Sequence, residues 1–254
     1  ALFAEFNALY EWNEVTLGVG VQTTNLEGLR KIRRAIKAEK FEQTFDLLQK
    51  YKIYAKIDLI IGLPGEDIGS IERTLEYMLG KLRGSQAHLL CCHVMRGLPG
   101  TELLEIAKDY GMAFSSKYEP HELVESQALP RADMLQCLRR TGVVFRLVNH
   151  RGWANKEFIS GKYASETSVR DAFFATCDRL GISHVGLVDL IIDGLMEHLK
   201  AWDSWFVQHD FPYAETWWWT RSAIEIRNEW IIDYLASIEV SRACLSTPVF
   251  SVGA

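Results

Sequence analysis

Three times in the first 112 residues an apolar run of strand length passes through a glycine-bearing or polar turn into a segment with helical spacing, and this alternation limits the possible folds more than any other feature. Residues 14–21 (EVTLGVGV), 54–61 (YAKIDLII) and about 87–94 read as strands, being β-branched and apolar. Between them, 26–51 reads as helix with a break near Ala35–Ala38, and 67–82 places Ile71, Leu75, Met78 and Leu79 on one helical face. A further helix is expected over about 101–110. Strands separated by helices imply βαβ units, a parallel sheet and right-handed crossovers. The fold class is therefore α/β. Three strands are too few to close a barrel, so the expectation is a partial one, with more of it upstream.

After Tyr110 the alternation stops. Residues 111–130, with Gly111, Pro120 and Pro130, read as an extended loop, and about 131–147 as a helix. Residues 148–166 are polar and irregular, and helices are expected at roughly 168–180, 185–207 and 216–238. Three regions follow: 1–112 with the βα units, 113–150 completing the core, and 151–254 as a helical C-terminal extension. Ala1–Tyr10 already has helical spacing, which is the second reason to expect sequence upstream.

A net charge of −5 argues against a broad nucleic-acid surface, which needs a basic face. No apolar run is long enough to span a membrane, and no signal peptide is visible. The five cysteines (Cys91, Cys92, Cys137, Cys177 and Cys244) are odd in number and form no C-x-x-C pair. That pattern suits free thiols in a reducing cytoplasm and offers no local metal site.

The polar residues worth attention cluster where strands run out: GVGVQTTN after the first, IDLIIGLPGED through the second, MRGLPGT after the third. Ligands bind at the C-terminal ends of parallel strands. Asp58 stands between apolar strand residues, so it must be paired, hydrogen-bonded or on an open face. Gln22 could simply cap a helix, Arg34 could lie on a solvated basic helix (RKIRR), and GLPGED could be a turn with an N-cap carboxylate. Cys91 and Cys92, adjacent in a strand, should face opposite ways, which leaves Cys91 or His93 to line the interior. The tryptophans Trp202, Trp205, Trp217–Trp219 and Trp230 read as helix packing or as an aromatic wall.

In order and spacing, GVGVQTTN, Leu29-x-x-Ile32-x-Arg34, IDLIIGLPGED and RGLPGT resemble the second half of the radical S-adenosylmethionine (SAM) core. Gln22 and Arg34 stand twelve residues apart, as in the branch holding oxygen-independent coproporphyrinogen oxidase and the cobalamin-binding radical SAM proteins. The later order, LPGTELLEIAKDYGM, then YEPHELVES, then a helix ending in Val148-Asn149, resembles the cobalamin-binding subgroup. The resemblance covers residues 1 to about 150.

It implies a TIM-like partial barrel in which Gln22, Arg34 and Asp58 contact SAM, with Ile60 and Met95 lying against the adenine. An amide donates and accepts, a guanidinium fork matches a carboxylate, and a carboxylate accepts from ribose hydroxyls or an ammonium. It also implies a [4Fe-4S] cluster held by a C-x-x-x-C-x-x-C motif upstream, and no metal ligand or catalytic residue in this chain. The family's chemistry is reductive cleavage of SAM to a 5′-deoxyadenosyl radical that takes a substrate hydrogen, with methyl transfer common in the cobalamin subgroup. Expected partners are a small-molecule substrate and an electron donor such as flavodoxin or ferredoxin, with no nucleic acid and no membrane. A chain without its cluster should be inactive by itself and weakly stable. Three other readings stand: a radical SAM enzyme without cobalamin, like coproporphyrinogen oxidase, acting on a porphyrin-like or nucleic-acid substrate; a barrel enzyme for another phosphate- or nucleotide-like ligand; and a non-catalytic binding module that keeps the barrel without the cluster.

Overall fold

Strands β1 (Thr16–Gln22), β2 (Tyr54–Ile61) and β3 (His88–Val94) form one parallel sheet in the order β1-β2-β3. The computed structural model describes residues 16–34, 38–51, 53–83, 88–115, 121–148, 164–195 and 230–238. Alternation along β2 separates the two faces of the sheet. Ala55, Ile57, Leu59 and Ile61 are buried, together with Leu90, Cys92 and Val94 of β3, while Lys56, Asp58 and Ile60 remain half-buried on the other side.

Helices cover the buried face. Between β1 and β2 lie α1 (Leu26–Lys31) and α2 (Ala38–Lys50), so the break expected near residue 35 is real. The Asn25 side chain starts α1 by accepting from the amides of Glu27 and Gly28. In α2, Phe41, Phe45 and Leu48 recur at helical spacing and are buried. Helix α3 (Ile68–Leu82) connects β2 to β3, with Asp67 capping it through Ser70 N at 2.7 Å. It buries Ile71, Leu75, Met78, Leu79 and Leu82. Each such side chain contributes about 2 kcal/mol by leaving water.

The expectation of a loop over 111–130 is overturned at 113–114 and 121–125, which are strands. Strand β4 (Arg96–Gly97) is followed by α4 (Glu102–Ile106), a 3₁₀ turn at Ala107–Tyr110, β5 (Ala113–Phe114) and β6 (His121–Glu125). These strands form a small antiparallel sheet in the order β4-β6-β5. Met95 joins the two sheets: its amide donates to Ile61 O at 2.9 Å, and its carbonyl accepts from Leu123 N at 2.8 Å. Two-residue strands leave no periodicity to read, and His121, Glu122 and Glu125 hide β6 among polar residues.

Helices α5 (Arg131–Val148), α6 (Ala164–Leu180), α7 (His184–Gly194) and α8 (230–238) complete the described chain. They support the covered face through α3. Buried Arg140 of α5 makes two 2.8 Å bonds to Asp189 of α7 and an ion pair to Glu72 of α3 at 2.6 Å. Glu76 of α3 caps α7 by accepting from the amides of His184 and Val185. The parts of the expected helices over 196–207 and 216–229, Trp202, Trp205, Trp217–Trp219 and Cys244 lie outside the described residues. Trp230 is half-buried against the core, which fits the packing reading for that ring. Among the described residues, no helix is long and apolar enough to cross a membrane.

Candidate functional site

The open face of the sheet gathers the polar residues. In register, Gly20 of β1 and Cys91 of β3 flank Asp58, and His93 lies beside Ile60. Partners in a parallel ladder point to the same side, so Gly20, Asp58, Cys91, Ile60 and His93 share one surface. Cys92, one residue on, is buried on the other face, as strand alternation requires.

Gln22 and Arg34 reach the same surface from above β1. The β1–β2 register slips between Gly20 and Gln22, and Gln22 takes a φ of 67°, in the left-handed region a non-glycine residue seldom visits. Such strain costs about 1–3 kcal/mol and concentrates at functional sites. The bulge folds the Gln22 amide back over the strand. A Cβ on Gly20 would meet Gln22 Nε2 at 2.7 Å and the Arg34 guanidinium at 3.3 Å. A side chain at residue 20 would have to displace the ends of both groups from this place.

Arg34 is exposed, as the solvated-face reading expects, but it does not lie in a helix. Helix α1 ends at Lys31, Arg33 turns left-handed at φ 56°, and Arg34 N donates to Leu29 O at 2.8 Å while Arg33 N donates to Arg30 O at 2.9 Å. This pair of bonds is a Schellman termination. It reverses the chain so that the guanidinium donates to Gly20 O at 3.0 Å.

Asp58 is both paired and on the open face. Its Oδ1 accepts from His93 Nε2 at 3.0 Å and from Lys56 Nζ at 3.1 Å. Partial burial opposes its charge, but the bonds and charges of His93 and Lys56 outweigh that and hold the carboxyl below its ordinary range. A carboxylate can only accept, so His93 presents Nε2 as N–H. The neighbouring Cys91 thiol is pushed up to about 11, chiefly by burial, and is neutral near pH 7.

The remaining expected contacts divide. Ile60 is half-buried on the open face. Met95 packs its side chain against the hydrophobic core while its backbone bridges the sheets, so its place is structural in the first instance. Asp58 lies in mid-strand, which corrects the expectation that the site residues gather where the strands run out.

Sequence reasoning misses the seam behind this surface. Glu66 of the GLPGED turn is 1% exposed and is not the helix cap. Thr23 Oγ1 donates to its Oε1 at 2.5 Å and Leu63 N to its Oε2 at 3.3 Å. Thr74 of α3 lies 3.2 Å from Thr23 Oγ1 and 2.9 Å from Thr24 Oγ1. Burial, only partly offset by these bonds, raises Glu66 to about 7. The Thr23-Thr24 pair after Gln22 is a faint sign of this seam; Thr74 and Lys56 give none.

An amide, a guanidinium and a carboxylate on one surface make a donor set suited to a zwitterionic, hydroxyl-bearing molecule. They do not make a metal centre: among the described residues, no group of three His, Cys, Asp or Glu side chains could hold a metal ion. The four described cysteines are free. No protein-family model matches the chain, and no curated protein matches it.

Proposed function

We propose that the parallel sheet is the later half of a radical SAM (βα) barrel and that its open face holds SAM. One observation carries the reading: Gln22 and Arg34 meet over Gly20, and Gly20 is the register partner of Asp58. Three groups separated by long stretches of sequence share one surface, and one of them occupies a strained backbone conformation.

In this reading the Arg34 guanidinium binds the methionyl carboxylate as a fork. The Gln22 amide meets the polar amino-acid end, and Asp58 accepts from the ribose hydroxyls or the ammonium. Bare backbone at Gly18 leaves room for a flat ligand, since nothing stands within 4 Å of a Cβ there. Ile60 supplies apolar contact. SAM, once bound, supplies the radical precursor or the methyl group. The role of this half of the barrel is to bind and orient it.

On this proposal the iron–sulfur cluster is held by the three-cysteine motif of the family; among the described residues, no group of three His, Cys, Asp or Glu side chains could hold a metal ion. Cobalamin rests on the order of the sequence motifs after residue 97 and on no side chain of the open face. On this proposal the protein works in the reducing cytoplasm on a small molecule, with flavodoxin or ferredoxin as reductant.

SAM binding to the full chain, measured by equilibrium dialysis, tests the reading. Arg34→Ala and Asp58→Asn are each expected to weaken binding roughly tenfold or more, the worth of a charge-assisted hydrogen bond. Equal affinity in both variants and the wild type would discard it.

A further inference from the structure

The open face holds one carboxylate whose two donors both fall on the same oxygen. Lys56 Nζ and His93 Nε2 converge on Asp58 Oδ1, from its own strand and from β3, at 3.1 and 3.0 Å. Both partners keep part of their surface in solvent, 26% for Lys56 and 32% for His93, against 24% for Asp58. A salt bridge built for stability alone at that exposure is worth little. Two donors on one oxygen do something more specific: they fix the plane and the charge of the carboxylate and leave Oδ2 to a third partner.

We propose that Lys56 and His93 are positioning residues for Asp58, holding its Oδ1 so that Oδ2 is presented, ionised, to paired hydroxyls or an ammonium on the bound ligand. This rests on the reading of Asp58 as a SAM contact. Each donor has a distinct part. Lys56 supplies a fixed positive charge. His93 supplies a directional N–H, and its ring, beside Ile60, also bounds the surface on which the ligand lies. The other described groups facing Asp58 complete its electrostatic surroundings. From β1 comes only Gly20, and from β3 the Cys91 thiol, neutral near pH 7. From the turn after α1 comes the Arg34 guanidinium, which donates to Gly20 O through one nitrogen and keeps its positive charge and its other N–H groups.

The consequence is a pH signature. With its donors present, Asp58 stays ionised below the ordinary carboxylate range, so binding should persist into acid. The test is SAM titration of the full chain across the acid range, with the melting midpoint of every variant as a check on folding. His93→Leu should bind roughly tenfold more weakly, and its binding should fall away at a higher pH than in the wild type. His93→Gln, whose amide N–H can replace the imidazole N–H, should recover most of the affinity; a merely structural ring would show no such rescue. Lys56→Met should shift the acid limb in the same direction. If His93→Leu fails to fold, His93→Asn, too short to reach Oδ1, stands in for it. Should His93→Leu and Lys56→Met keep wild-type affinity and acid limb while Asp58→Asn has lost binding, the positioning role is overturned and the SAM site survives. Unchanged binding by Asp58→Asn removes both.

Discussion

Asp58 and Glu66 stand eight residues apart, on either side of the end of β2, and the protein treats them in opposite ways. Asp58 lies on the open face with the Lys56 ammonium and the His93 N–H on one oxygen and stays ionised. Glu66 lies behind it in the turn, almost fully buried, and its bonds come from a hydroxyl and a backbone amide. Neutral donors cannot repay the loss of water around a charge as cations can, so Glu66 rises to about 7. Burial alone therefore does not assign a role. The partners distinguish them: the first carboxylate keeps its charge on the open face, and the second ties two loops together.

The largest expected effect breaks this contrast with pH. Because the folded protein holds the Glu66 proton more tightly than the unfolded chain, its stabilising contribution is complete below the ordinary glutamate value. It is lost as pH rises through about 7. Urea unfolding should show stability declining over that interval by on the order of 3 kcal/mol, and Glu66→Gln should flatten the slope. A wild-type profile that is flat there would mean that water reaches the seam.

The second effect has the opposite sign. Asp58 is held below its ordinary value, so its contribution is present above that value and disappears as pH falls through the lowered one. Asp58→Asn should cost about 1 kcal/mol near neutral pH, since solvent screens a group this exposed, and should blunt the acid limb of the same unfolding series. The smallest effect is a control. Arg33 and Glu102 pair at 2.5 Å with 78% and 50% of their side chains exposed. Arg33→Ala should change stability by less than about 0.5 kcal/mol. A larger loss would show that surface pairs carry weight in this protein, and would weaken the argument that the Lys56–Asp58–His93 group exists for a ligand.

What is legible in the sequence follows from length and periodicity. The strand 54–61 reads to the residue, and α3 to within one, because each has a long repeat of buried positions. The second sheet does not, because strands as short as Arg96–Gly97 and Ala113–Phe114 carry no pattern and depend on the Met95 bridge for their place. At the site, spacing points to Gln22, Arg34 and Asp58. Their assembly depends on a bulge and a left-handed helix end that neither Gln22 nor Arg33 advertises, since glycine is the usual residue at such φ. Lys56 and Thr74 escape notice for a related reason: each matters only through a partner on another residue's side chain, which no local pattern records.

The Schellman end of α1 carries one more implication. Arg34 N is fastened to the carbonyl of Leu29, whose side chain is sealed in the core at 1% exposure. The reach of the guanidinium is therefore measured from an aliphatic anchor that touches no ligand. Leverage of this kind lets hydrophobic packing set the aim of a charged group, so selection on recognition would be felt as selection on the shape of a leucine.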